Sequence, residues 1–317
     1  MNEQTSRRKF IGTLTGATLS AGILNTTGCA KPGNKIMSSA NFKYCFNTST
    51  IRGQELGLVK EIEIAAKAGY NAIEPWIRSI RAFLDEGGSL KDLNKRIQDL
   101  GLTVESAIGF AEWIVDDPVA RAKGLEEAKS DMDILSQIGG IRIAAPPKGA
   151  TKEAGLDLLA AAERYRALLE LGDKMGVVPM VEVWGFSKNL HRLGQAVFVA
   201  IESGHPKACV LPDVYHLYKG GSDFTGLQML SKNSVHAIHI NDYPADPPWE
   251  TIGDKDRVYP GDGIAPLGEI FRTLAKLNPD MVFSLELFNP NYWEQDALEV
   301  AKTGLAKMKE QVAAALG

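Results

Sequence analysis

Four apolar runs in the C-terminal half of the 317-residue chain contain groups that can hold a divalent cation or move a proton. They are Met180-Val181-Glu182-Val183-Trp184, Val210-Leu211-Pro212-Asp213, His236-Ala237-Ile238-His239-Ile240-Asn241 and Phe283-Ser284-Leu285-Glu286-Leu287-Phe288. In an extended strand successive side chains point to opposite faces, so Glu182 shares a face with Met180 and Trp184, and Glu286 shares one with Ser284 and Phe288. His236 and His239 are three residues apart and face opposite ways. His239, nearer the C-terminal end of its run, is expected to face inward, and His236 to be structural. Three carboxylates gathered in apolar surroundings repel one another and are costly to desolvate. A divalent cation relieves both costs, and oxygens with one imidazole suit Mn²⁺, Mg²⁺, Co²⁺ or Zn²⁺, with Mn²⁺ or Zn²⁺ favoured. Glu182, Asp213, His239 and Glu286 are therefore candidate ligands of one metal ion. The alternative is that each acid separately finds a basic partner or a helix N-terminus.

Eight short apolar runs bounded by Gly, Pro or Asn read as buried strands, near Tyr44–Asn47, Ala72–Trp76, Thr103–Ile108, Arg142–Ala145, Val178–Val183, Ala208–Asp213, Ala237–Asn241 and Val282–Leu287. Helical patterns separate them, among them Gly57–Ala68, with Leu58, Ile62, Ala65 and Ala66 on one stripe, and Leu156–Met175. Gly69, Gly101, Gly139 and Gly176 each stand between a helical pattern and the next strand, where C-terminal caps belong. The alternation predicts an α/β fold, a (β/α)₈ TIM barrel, whose active site lies at the C-terminal ends of the strands. A doubly wound sheet is the weaker reading, because no glycine-rich phosphate loop follows the first strand. Hydrophobic residues at 44% and charged residues at 23% exclude a disordered chain, and three cysteines exclude a disulfide scaffold. A formal charge of -4 gives a nucleic acid no basic surface to bind.

The N-terminus reads as an address. Ser6-Arg7-Arg8-Lys9-Phe10-Ile11 is similar to a twin-arginine export signal, and the uncharged run Ile11 to Leu24 is too short to span a membrane. Thr26-Thr27-Gly28-Cys29 is similar to a lipoprotein cleavage site, with Thr26 where Leu is usual. The expected organisation is a signal over 1–28, a tether over 29–40 and a single catalytic barrel over 41–317. The protein is expected to be exported to the periplasm, touching a membrane only through a lipid on Cys29. Cys45 and Cys209 sit in apolar runs and read as buried free thiols, with a disulfide left open by export.

Beyond the four candidate ligands, Glu74 ends the second strand and is expected either to face substrate or to form a structural ion pair. Trp76, Trp113, Trp184 and Trp249 lie at strand ends or in following loops, where they would either enclose a sugar ring or pack in the core. Lys148 reads as solvated, His191 as a loop residue open to substrate contact, and His205 as a surface residue. Gly261-Asp262-Gly263 follows no strand and reads as a tight turn.

Several of these segments carry a resemblance in order along residues 42–315. They are Tyr44-Cys45-Phe46-Asn47, Ala68-Gly69-Tyr70-Asn71-Ala72-Ile73-Glu74, Asp213-Val214-Tyr215-His216, His239-Ile240-Asn241-Asp242, Asp256-Arg257-Val258-Tyr259-Pro260-Gly261-Asp262-Gly263 and Ser284-Leu285-Glu286-Leu287-Phe288. The chain resembles the xylose-isomerase-like TIM barrels of the sugar phosphate isomerase/epimerase group, in particular the inosose isomerases. The resemblance implies that Glu182, Asp213, His239 and Glu286 bind one catalytic metal, that His216 and Arg257 contact substrate, and that Glu182 and Glu286 act as acid and base. It implies an isomerase or epimerase that removes a proton next to a carbonyl. Export argues for an unphosphorylated keto-sugar or keto-polyol substrate. Two other readings stand beside it: a lyase acting on 3-keto-glycosides at the same metal site, and a sugar-binding lipoprotein without chemistry.

Overall fold

The structure, a computed structural model, describes residues 41–317. The export signal, Cys29 and the tether lie outside the described residues. Eight strands follow one another around a barrel: β1 Lys43–Asn47, β2 Ala72–Glu74, β3 Thr103–Val104, β4 Arg142–Ala145, β5 Val178–Glu182, β6 Val210–Leu211, β7 Ala237–Ile240 and β8 Val282–Leu285. All pairings between them are parallel, in the orders β3-β2-β1-β8-β7 and β4-β5-β6. The two arcs join where Ala144 N donates to Ala107 O at 2.9 Å and where Asp213 bridges His239. Every strand lies where an apolar run predicts one. The third and sixth are shorter than their runs, continuing as isolated bridges at Ile108 and Asp213.

The helices are α1 Leu58–Ala68, α2 Ile77–Asp85, α3 Leu90–Asp99, α4 Pro118–Gln137, α5 Leu158–Met175, α6 Leu193–Glu202, α7 Val214–Lys219, α8 Leu267–Leu277, α9 Pro290–Trp293 and α10 Ala297–Leu316. Asp117, Asp157 and Asp296 cap α4, α5 and α10 by accepting from backbone N–H groups of the first turn. Gly69 and Gly176 end α1 and α5 at φ 95° and 72°, a conformation that a side chain would strain.

Two apolar layers result from strand alternation. Outward residues such as Phe46, Ile73, Val181, Ile238 and Phe283 pack under the helices. Inward residues, including Cys45, Ala144, Met180, Cys209 and Leu211, fill the barrel beneath its mouth. Cys45 and Cys209 are both buried free thiols, and burial pushes the Cys209 thiol up to about 12, so both are inert fillers here. His205 departs from the expected surface position: its ring is 7% exposed and pairs with Asp173 at 3.1 Å, because the turn before Pro206 folds it back onto α5. Trp113 is core, its ring tilted against Tyr165 at 5.8 Å between centroids and its Nε1 donating to Pro146 O, whereas Trp249 is exposed.

Several acids are buried away from the carboxylates of the barrel mouth, among them Glu105, Asp131 and Glu61. Glu61, in the first turn of α1, is 5% exposed, and burial raises its carboxyl to about 7 despite nearby Arg78. The folded chain therefore holds a proton there that the unfolded chain has released, so stability falls as pH rises from about 4.5 to about 7. Glu61→Gln is expected to abolish that slope, gaining on the order of 3 kcal/mol over the parent above neutrality and nothing in mild acid. Denaturant melts of both proteins at several pH values check this; parallel curves would refute it.

Candidate active site

The C-terminal ends of β1, β2, β5, β6, β7 and β8 bring together Asn47, Glu74, Glu182, Asp213, His239 and Glu286, all 4% exposed or less. His239 is the hub. Its Nδ1 faces three carboxylates, with Glu286 Oε2 at 3.2 Å, Asp213 Oδ2 at 3.5 Å and Glu182 Oε1 at 3.7 Å. The distances suit ion pairing, but no oxygen lies in line for a hydrogen bond to Nδ1. On the far side of the ring Nε2 lies 3.1 Å from Glu74 Oε2, again as an ion pair and not an aligned hydrogen bond. Glu74 also accepts from Ser284 Oγ at 2.6 Å and from Asn47 Nδ2 at 2.9 Å. Burial works against an imidazolium at His239, but Glu286 and Glu74 outweigh it and hold its pKa well above the usual value. His236, expected to be structural, lies off this site, and burial depresses it to about 4.

Asp213 does two jobs set by its place before α7. Its Oδ1 caps the helix by accepting from His216 N at 2.8 Å, and its Oδ2 accepts from Arg257 Nη1 at 2.8 Å and Asn241 Nδ2 at 3.2 Å. Burial alone would raise its carboxyl, but Arg257, His216 and His239 reverse this and hold it far below the usual range. Asp213, His239 and Glu286 form a tight trio whose donor atoms all lie within 4.8 Å of one another. Glu182 stands to one side of that trio. Its Oε2 is buried without a hydrogen-bond partner, and burial, reinforced by Glu286, Asp213 and Glu74, raises it to about 8 although His239 opposes the shift.

Arg257 is fully buried, and its five N–H groups are all committed. Nη1 donates to Asp213 Oδ2 and to Glu286 Oε2 at 2.9 Å; Nη2 donates to His216 Nε2 at 3.1 Å and Asp254 Oδ1 at 2.6 Å; Nε donates to Asp254 Oδ1 at 3.1 Å. Because a guanidinium only donates, His216 Nε2 carries the lone pair and Nδ1 the proton. That Nδ1 has no partner.

The residues expected from sequence thus divide. Glu182, Trp184, His216, Arg257 and Glu286 line a cavity of about 400 Å³, within the range of small-ligand sites, together with Trp76, Phe110 and Phe288. Glu74, expected to face substrate or to be a structural ion pair, is 1% exposed and off the cavity wall; its Oε2 meets His239, Ser284 and Asn47, and its Oε1 is buried without a hydrogen-bond partner. Arg257 lines the cavity but has no N–H left for a substrate in this arrangement. It ties Asp213 to Glu286, which linear spacing does not reveal. Lys148 and His191 do not line this cavity. Asn47 was missed as a functional residue, although it ends β1 as Glu182 ends β5. It donates to Glu74 and, at 3.1 Å, to Glu286 Oε1, and accepts from Trp76 Nε1 at 2.9 Å. Asp254 was missed as well, although it stands three residues before Arg257 and pairs with it within one local turn.

Residues 62–311 match the family of xylose isomerase-like TIM barrels, and the chain belongs to that family. The inosose isomerase of Bacillus velezensis is 25% identical over 266 residues, covering 82% of this chain and 94% of that one. A crystal structure of an IolI protein with a bound zinc atom superposes with a TM-score of 0.80 at 23% identity, covering 86% of this chain and 98% of the other. L-ribulose 3-epimerase shares the fold at a TM-score of 0.69 and 18% identity, over 87% and 96% of the two chains. The barrel expected from the strand pattern is the barrel observed.

Proposed function

We propose that the chain is a divalent-metal-dependent isomerase or epimerase of an unphosphorylated keto-sugar or keto-polyol. The observation that carries this is His239 Nδ1, buried among three carboxylates and hydrogen bonded to none of them, beside the unpartnered Glu182 Oε2. Three carboxylates and one imidazole gathered at one point fit a divalent cation held by Asp213, His239 and Glu286 with Glu182. Zinc or manganese suits the set, and the related IolI structure is described with a zinc atom. When bound, the ion supplies Lewis-acid stabilisation of the negative charge that builds on the substrate's oxygens.

The chain's own residues do the rest. Glu74, placed at His239 Nε2, keeps the proton on that nitrogen and Nδ1 free to ligate. Glu182 and Glu286 flank the cavity as the proton-transfer pair. One carboxylate takes the proton α to the carbonyl and returns it to the neighbouring carbon, or its partner gives a proton to the other face. Burial and the neighbouring carboxylates favour the protonated form of Glu182 in the metal-free site, and a bound cation would favour its carboxylate. His216 Nδ1–H is the unspent donor for a substrate hydroxyl. Trp76, Trp184 and Phe288 close the cavity with apolar faces that pack on a sugar ring and limit water.

The test is incubation of the metal-replete protein with a panel of keto-sugars in heavy water. Solvent deuterium should enter the α-position, with an isomer or epimer as product. Release of an aglycone along with exchange would replace the isomerase reading by the lyase. No exchange with any keto-sugar would favour a binding role. For the metal, His239→Ala should strip the ion, whereas His236→Ala should keep it. Equal losses measured by metal analysis would overturn the inward assignment.

We also propose that the chain is exported through Arg7 and Arg8 and tethered by a lipid on Cys29, on the support of the N-terminal motif alone. Replacing both arginines by lysine should strand the precursor inside the cell; normal fractionation of that variant would remove the assignment.

A further inference from the structure

The cavity over the carboxylates adjoins a second one. Arg52 and Trp293 line both, and the second, of about 630 Å³, is bounded by α1 and α2. In the shared wall a Cβ on Gly53 would overlap the Trp293 ring, and Trp293 Nε1 donates to Ser49 O at 3.3 Å, which fixes the ring in place. Arg52 lies over the rings of Phe288, Trp293 and Trp76, at 4.8, 5.1 and 5.5 Å, and Arg78 lies over Trp76 at 4.2 Å. Among the described residues neither guanidinium forms an ion pair; their charges repel each other and feel Glu61, Asp254 and Glu286 only at longer range. Opposite them Glu61 lines the groove with a buried Oε2 that has no hydrogen-bond partner.

This mixture selects its occupant. A bare cation would meet Arg52 and Arg78, and an anion would meet Glu61, with Glu55 and Glu86 on the rim. A neutral hydroxylated ring satisfies every group: a hydroxyl donates to Glu61 Oε2, others accept from the guanidinium N–H groups, and C–H faces lie on Trp293 and Phe83. An unsatisfied buried acceptor costs free energy, so a hydroxyl that reaches it binds with the full value of the bond. We propose that the groove holds a second sugar ring of the same substrate molecule. The substrate is then a glycoside of at least two rings, its keto-sugar ring above the carboxylates and the next ring beyond Arg52. The proposal rests on the sugar reading of the barrel mouth.

Titration calorimetry of the metal-replete protein with glucose, cellobiose, maltose and lactulose tests it without requiring turnover. At least one disaccharide should bind about tenfold tighter than glucose, roughly the worth of one net hydrogen bond. Glu61→Leu, which removes the acceptor that an amide would keep, and Arg78→Ala should each erase most of that preference; Arg78 is exposed, so its loss spares the core. A disaccharide preference without hydrogen exchange would sink the isomerase reading and leave the groove assignment standing. Exchange with one-ring keto-sugars and no disaccharide preference would do the reverse. A preference that survives both substitutions would place the second ring elsewhere and overturn the proposal.

Discussion

Glu286→Gln is expected to slow α-hydrogen exchange by at least about 10²–10⁴-fold, the range for loss of a general base or acid, and by more if the metal also leaves. The substitution keeps the shape of the side chain. It removes the proton-accepting oxygen and one of the two carboxylates that Arg257 Nη1 bridges at 2.8 and 2.9 Å. Deuterium incorporation read by NMR, with metal content measured on the same samples, separates the two causes. Loss of exchange with metal retained points to proton transfer, and loss of both points to ligation. Glu182→Gln should slow exchange as well, but without disturbing Arg257, because Glu182 makes no pair with it and its Oε2 is already unpartnered. Full turnover in Glu286→Gln would remove that residue from the chemistry.

Arg257→Met is expected to destabilise the metal-free protein by about 3–5 kcal/mol, the cost of breaking a buried ion pair from one side. For a chain of this size that lowers Tm by very roughly 10 °C. The cause is electrostatic. Asp213 and Glu286, both buried beside His239, would lose their shared cation, and Asp254 and His216 would lose their tie to the same wall. A divalent ion supplies positive charge to the same two carboxylates. Added zinc or manganese should therefore raise Tm more in Arg257→Met than in the parent. Thermal melts with and without metal check this. An Arg257→Met protein as stable as the parent, or one that gains less from metal, would show that the guanidinium is no counter-ion for Asp213 and Glu286. A role confined to gripping substrate predicts instead an unchanged metal-free Tm.

Alternation of apolar runs and glycine-capped helices made the barrel legible, because burial on both faces of a parallel strand and the 3.6-residue stripe of a helix are written in local sequence. The placement of Glu182, Asp213, His239 and Glu286 at one mouth followed from that topology, and strand parity chose His239 over His236. Asn47 satisfied the same rule and was passed over, since an amide attracts less notice than a charge. What chain order could not disclose is where long side chains end. Glu74 and Glu286 both close their strands, yet Glu74 turns to the imidazole Nε2 and Glu286 to its Nδ1. Arg257 comes from a loop between β7 and β8, and its reach into the barrel depends on Asp254 and on the rings of Tyr215 and Phe288 that sandwich it. The amino-acid sequence by itself determined the barrel and the strand ends that carry carboxylates, because both depend on local periodicity. Only the tertiary structure decided which carboxylates share the histidine, that the arginine is their counter-ion, and that a groove adjoins the mouth. Those depend on contacts between residues far apart in the chain, whose distances and angles no local pattern encodes.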